Sequence, residues 1–301
     1  MRKSLAILTH QITAGGLMDT VDEIASEQVE PRLTDDVRIQ AGSFLLELSL
    51  DWIVLRASQN IHHLLGESHV TLIDEPLGKF VHSQALHDLR NLFSKLSGTT
   101  GIGRAYAVRL TNDPELVDIA FHLVDGRVLL EAVPSEGCFG ECFGSVGGLI
   151  AGLANSHGQA LLDGGARRMR ALTGYDRVTL ICGERRSESS RGAFSSASDA
   201  SDLPAIILDT VSDGVPIFPR EAVEETSVDD ALLRAPDADQ RGRLEQQGIK
   251  ALLRVPFTAD GLDCEFCCES RTARKPSFEL HAAAELFVQM FAMRLALDKA
   301  A

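Results

Sequence analysis

"VDIAFHLVDGRVLLEAV", Val117 to Val133, decides how the first half of the chain is read. Two apolar-rich runs flank Asp125-Gly126, a dipeptide suited to the positive φ angles of a two-residue hairpin turn. With "AYAVRL" (Ala105 to Leu110) ahead of them, they predict three consecutive antiparallel strands. Further upstream, "SFLLELS" and "WIVLRAS" predict two adjoining strands, and "SQNIHHLLG" a short helix closed by Gly66. In "EPLGKFVHSQALHDLRNLFSKL" Leu86, Leu89, Phe93 and Leu96 recur at helical spacing, with Leu77 and Val81 in the turns before them. Strands, small helices and an antiparallel run predict an α+β domain with one sheet over residues 43–135, after an N-terminal arm at 1–42.

A glycine-rich stretch, "GCFGECFG" (Gly137 to Gly144), follows, and residues 136–145 read as a non-helical joint, since three glycines in eight residues disfavour a helix. Residues 146–301 predict a second α+β domain. It comprises a long helix from Val146 to Leu172, a strand at "DRVTLICGE", a polar turn at "SESSRG" (Ser187 to Gly192), and short strands at "GVPIFP" and "ALLRVPF". An alternating strand "DCEFCCES" comes next, then a terminal helix with Ser277 as its N-cap.

The 301 residues carry a net charge of -14, which speaks against nucleic acid and anionic membrane as partners. The apolar start of "MRKSLAILTHQ" is too short for a signal peptide core, and no stretch reaches the ~20 apolar residues of a spanning helix. A cytoplasmic protein is expected, with all six cysteines reduced. No nucleophile elbow, P-loop or metalloprotease signature is present, so the chain reads as a non-enzyme. The nine histidines form no ligand constellation and read as solvated or hydrogen-bonded surface residues.

The order arm, first domain, second domain resembles the PAS–GAF photosensory core of bacterial phytochromes. "ASQNIHHLLG" and "HLVDGRVLLEAVP" are similar to the family's PAS helix and final hairpin, and "LTGYDRV" (Leu172 to Val178) to its first GAF strand. "ASDLPA" (Ala200 to Ala205) resembles the segment that lies against the bilin, while Leu233-Arg234 and "GIKALLRVPFTADG" fall where the family has a Leu-Arg pair and a strand-turn-strand. The resemblance implies a bilin pocket involving Asp202, Leu203, Pro204 and Arg234. It also exposes departures. The position of the biliverdin-anchoring cysteine, ahead of Glu30-Pro31, falls at about Glu27, and the alternative anchor at Asp239. The pocket histidine is Gln240 and the pocket tyrosine is Ile181. The propionate-holding serines are Leu252, Arg254 and Pro256, and the terminal His-His is Glu269-Ser270. Gln240 cannot exchange protons near neutral pH as histidine does. The implied protein is a phytochrome-like module without covalent bilin.

Each candidate has a plainer role beside the sharper one. Asp202 meets a pyrrole N–H, or caps a helix beginning at Leu203-Pro204. Arg234 meets an anionic ligand, or, as expected in so acidic a chain, pairs with a neighbouring carboxylate. In "DCEFCCES" the alternation puts Cys264, Phe266 and Cys268 on one strand face and Cys267 on the other. These thiols are core-filling, or a pocket thiol that captures a pigment, or part of a thiol or metal sensor. Biliverdin held non-covalently or through a GAF cysteine is the alternative to no cofactor at all. The chain ends shortly after the terminal helix, so signalling is expected through docking to a protein partner unless this is a piece of a longer protein. Phe287, Met290, Phe291 and Leu295 form an apolar stripe that either packs on the sheet or, as the resemblance implies, joins a homodimer.

Overall fold

A computed structural model describes residues 37–96, 101–136, 140–194, 202–219 and 227–300, all within one compact unit, Pro31–Ala301. Glu27, Glu30-Pro31 and Cys138 lie outside the described residues.

The strands are β1 (Arg38–Ile39), β2 (Phe44–Leu48), β3 (Val54–Ser58), β4 (Gly103–Val108), β5 (Val117–Val124) and β6 (Arg127–Pro134), then β7 (Arg177–Cys182), β8 (Arg185–Ser190), β9 (Ile206–Ile207), β10 (Val215–Phe218), β11 (Ala251–Ala259) and β12 (Leu262–Ser270). The helices are α1 (His62–Leu65), α2 (His69–Leu72), α3 (Ser83–Ser94), α4 (Glu141–Ala151), α5 (Gly158–Thr173), α6 (Ala238–Gln246) and α7 (Phe278–Ala300). The class is α+β, with two antiparallel sheets and their helices.

The first sheet has the order β1-β10-β3-β2-β6-β5-β4. The β5–β6 hairpin turns at Asp125 and Gly126, whose φ angles of 48° and 74° are those expected of this pair. Trp52, Leu72, Leu89, Phe121 and Leu130 belong to the core beneath α1 to α3. Strand β10 departs from the expected arrangement, because "GVPIFP" joins this sheet instead of the second one. It pairs with β3 and with β1, so part of the predicted N-terminal arm is sheet. Ile39 bridges Arg234 as well as pairing with Val215, so β1 lies between two stretches of the later chain. Gln40 fastens it there, donating to the Ile206 carbonyl at 2.6 Å and accepting from the Leu208 N–H at 2.6 Å. Glu131 on β6 accepts the N–H groups of Leu232 and Leu233, each at 2.8 Å.

The second sheet has the order β8-β7-β12-β11-β9. One face carries Leu180, Leu253, Val255, Phe266 and Cys268 against α4, α5 and α7. Gly165 on α5 admits the Phe291 ring of α7, since a Cβ there would stand 2.5 Å from it. The predicted helix from Val146 to Leu172 is two helices, broken between Gly152 and His157, where Gly152, Asn155 and Ser156 favour a turn. The joint is also corrected: Cys142, Phe143 and Gly144 are helical. The Glu279 carboxylate of α7 accepts the Gly140 and Cys142 N–H groups, each at 3.0 Å, and so caps α4 from a distant segment. Ser187 to Ser190, expected in a turn, form strand β8, whose polar residues suit a sheet edge. Ser277 does cap α7, its hydroxyl accepting the Leu280 N–H at 3.1 Å.

Contrary to expectation, the segment Phe278–Asp298 of α7 is long and apolar enough, by length and composition, to cross a membrane. Its Phe278, Phe287, Val288, Phe291 and Leu295 are buried in the protein's own core. The stripe read from sequence therefore belongs mainly to sheet packing. The exposed apolar face of α7 is Leu286, Met293 and Leu297, at 38%, 62% and 67% exposure.

Candidate functional site

The free face of the second sheet is the one opposite α5 and α7, and side-chain alternation along β7, β11 and β12 brings Arg177, Thr179, Ile181, Leu252, Arg254, Glu265, Cys267 and Glu269 to it. Leu203, Ile207, Leu244, Ile249, Leu252 and Cys267 form one buried apolar cluster there. The segment after Asp202 and helix α6 supply its outer wall. Most sequence-predicted site residues converge on this region, but each polar one is engaged within the protein.

Asp202 pairs with Arg243 of α6, whose guanidinium holds the carboxyl below its ordinary pKa. No helix begins at Leu203-Pro204, so the helix-cap role is not realised. Leu203 and Pro204 are buried beneath this turn. Gln240 is 5% exposed. Its amide oxygen accepts the Asp237 N–H at 3.0 Å, closing a capping box at the start of α6, and its amide nitrogen donates to the Asp202 carbonyl at 2.6 Å. Arg254 forks onto Glu265 at 2.8 and 2.7 Å and donates to the Leu203 carbonyl at 2.6 Å. Glu269 makes an ion pair with Arg177, both side chains 1% exposed. Phe194 stacks over Arg177 and Arg271, 4.6 and 4.0 Å from its ring centre.

Arg234 does not form the expected ion pair among the described residues. Its backbone bridges Ile39 and accepts from Gln40 at 3.2 Å, a structural role. Ile181 is 39% exposed. Thr179, 1% exposed, has a hydroxyl with no hydrogen-bond partner among the described residues, and it stands opposite Cys267.

The cysteines divide as the alternation required. Cys264 and Cys268 face the helix-covered core and Cys267 the free face. Cys264, however, is bonded to Cys182, which corrects the expectation of six reduced thiols and removes Cys264 from the candidate thiols. The antiparallel register sets the two directly opposite with Cα atoms 4.1 Å apart, a juxtaposition that depends on strand pairing and not on compartment. Burial pushes the Cys267 and Cys268 thiols well above their ordinary pKa, which suppresses the thiolate that addition to a pigment requires. The members of the C-x-x-C-C strand lie on opposite faces. Among the described residues no three His, Cys, Asp or Glu side chains could hold a metal.

Three partners escaped sequence reasoning: Arg177, Arg243 and Glu265. An arginine inside the apolar strand "DRVTLIC" was the available signal for the first, because a buried charge demands a partner. Of the histidines, His281 is buried, not solvated. It takes a hydrogen bond from Arg104 at 3.0 Å, and desolvation lowers its pKa to about 4.

Residues 38–135 match the family profile described as PAS fold. No curated protein sequence matches the chain. Among solved structures, the chromophore-binding domain of an unusual bacteriophytochrome from R. palustris superposes with a TM-score of 0.71 at 20% identity, covering 90% of this chain and 99% of that one. The chromophore-binding domain of Stigmatella aurantiaca phytochrome P1 does so at 0.71 and 21%, covering 89% and 98%. The S. aurantiaca phytochrome photosensory core module gives 0.70 at 19%, with this chain spanning 60% of its length. The fold is that of the bacteriophytochrome PAS–GAF chromophore-binding domain.

Proposed function

We propose that this protein is a phytochrome-like sensory and regulatory PAS–GAF module of the cytoplasm, not an enzyme. It carries no covalently attached bilin and signals through a homodimer or a docked protein partner. One observation carries the reading: on the sheet face that the resemblance assigns to the pigment, the departing residues are satisfied by one another, as Arg177–Glu269, Arg254–Glu265 and Gln240 with Asp237 and Asp202. A bilin would have to break these bonds, and a buried ion pair that loses one partner costs about 3–5 kcal/mol. The exposed Leu286, Met293 and Leu297 face of α7 supports the homodimer.

A second reading, biliverdin held non-covalently or through Cys267, is favoured by the unpartnered Thr179 hydroxyl beside that thiol. Mixing the purified protein with biliverdin separates the two. The proposal expects no red-shifted absorbance band and no tetrapyrrole surviving denaturation. A red band would overturn it, and a denaturation-stable adduct lost in Cys267→Ser would establish the second reading.

A further inference from the structure

A cavity of about 360 Å³ opens on the helix-covered side of the second sheet, opposite the face just described. That volume lies within the range of about 300–1,000 Å³ typical of small-molecule sites. Its apolar walls come from three places. Ile206 and Leu208 belong to the segment at the sheet edge, Leu253 to β11, and Leu280 to the first turn of α7. Its charged residues are Arg274 and Lys275, and no Asp or Glu among the described residues lines it, in a chain whose net charge is -14.

Arg274 is held ready and underused. Its guanidinium lies 4.4 Å from the centre of the Tyr175 ring, which also lines the cavity. One Nη donates to the Thr173 carbonyl at 3.3 Å, while its buried Nε has no hydrogen-bond partner among the described residues. A guanidinium offers five donors, so most of its capacity is open to a bidentate acceptor. Among the described residues Lys275 is tied only to exposed Glu136, at 2.9 Å, a surface pair that is weak enough to exchange.

We propose that this cavity binds a small amphipathic anion, a carboxylate on a short apolar tail, with the carboxylate on Arg274 and Lys275 and the tail against Ile206, Leu253 and Leu280. Because the walls join the sheet edge to the base of α7, occupancy braces that helix and gives the module an input separate from the pigment face.

Calorimetric titration of the full chain with octanoate tests this, with octanol and inorganic phosphate as probes of tail and charge alone. Octanoate is expected to bind saturably at one site, with both controls at least about ten-fold weaker, the effect of losing one charge-assisted hydrogen bond. Arg274→Gln removes the charge, and Ala273→Trp, at an exposed rim position, blocks the cavity without touching the core. Each should weaken octanoate at least about ten-fold. Absence of saturable octanoate binding, equal binding of octanol, or binding that both variants leave intact would overturn the proposal.

Discussion

Glu131 offers the sharpest quantitative test, because it is a wholly buried carboxyl whose only partners among the described residues are the backbone N–H groups of Leu232 and Leu233. Desolvation raises its pKa from the ordinary 4.5 to about 7, against the opposing pull of those two hydrogen bonds. At about 1.4 kcal/mol per pH unit, that rise corresponds to about 3 kcal/mol. Below pH 4.5 the carboxyl is protonated whether the chain is folded or not. Between 4.5 and about 7 the unfolded chain releases the proton while the folded one keeps it, so stability falls as pH rises, and above pH 7 the loss is complete. Glu131→Gln removes the titration. Its amide oxygen satisfies one N–H but sets an NH₂ against the other, a penalty of about 1–3 kcal/mol that does not change with pH. Urea unfolding of both proteins from pH 4.5 to 8 should therefore show the variant clearly weaker at low pH, with the gap closing by about 3 kcal/mol toward pH 7.5. His122 on β5, whose pKa burial lowers, acts in the opposite sense: its contribution is lost as pH falls below its ordinary 6.5. It appears in both curves and cancels in their difference. Parallel curves would refute the assignment of a buried, proton-retaining Glu131.

Arg177→Met alone should destabilise the protein by about 3–5 kcal/mol in urea unfolding, whereas adding Glu269→Leu should recover most of the loss, since the paired charges are buried together. Gln240→Ala should cost about 1–2 kcal/mol by opening the capping box and freeing the Asp202 turn, read by the same measurement. If α7 forms the dimer face, Met293→Glu with Leu297→Glu should yield monomers by light scattering while leaving the far-ultraviolet circular dichroism unchanged, because both side chains are exposed. A wild-type protein that is already monomeric would remove the dimer from the proposed function.

Elements with a strong local signal were legible. The β5–β6 hairpin announces itself through Asp125-Gly126, α7 through Ser277, and the split of Cys264 and Cys268 from Cys267 through strand periodicity. Elements set by distant partners were not. Helix α4 starts inside a glycine-rich stretch because Glu279, on α7, supplies the acceptor its first N–H groups lack. Strand β10 reads as part of the second sheet by position, yet its partners are β1 and β3. Cys182 meets Cys264 only through the register of β7 on β12, 82 residues apart. In the candidate site, sequence located the residues that depart from the family pattern but not their partners, because Arg243 and Glu265 carry no feature that distinguishes them from the other charged residues of an acidic surface.

Those partners bear directly on function. A pocket that had merely lost its ligand contacts would leave buried polar groups unpaired, each costing about 1–3 kcal/mol, and would be under pressure to fill with water or ligand. Here the departures come with complements. Glu269 has Arg177, Arg254 has Glu265, and Gln240 uses both ends of its amide. A face satisfied in this way gains little from a pigment, because every new hydrogen bond replaces an existing one of similar strength. The Thr179 hydroxyl is left over on this face, and a neutral donor of that kind is far short of what two propionates and a ring of pyrrole N–H groups require. The balance of bonds on this face is therefore what supports the proposed reading of a pigment-free module on the phytochrome fold.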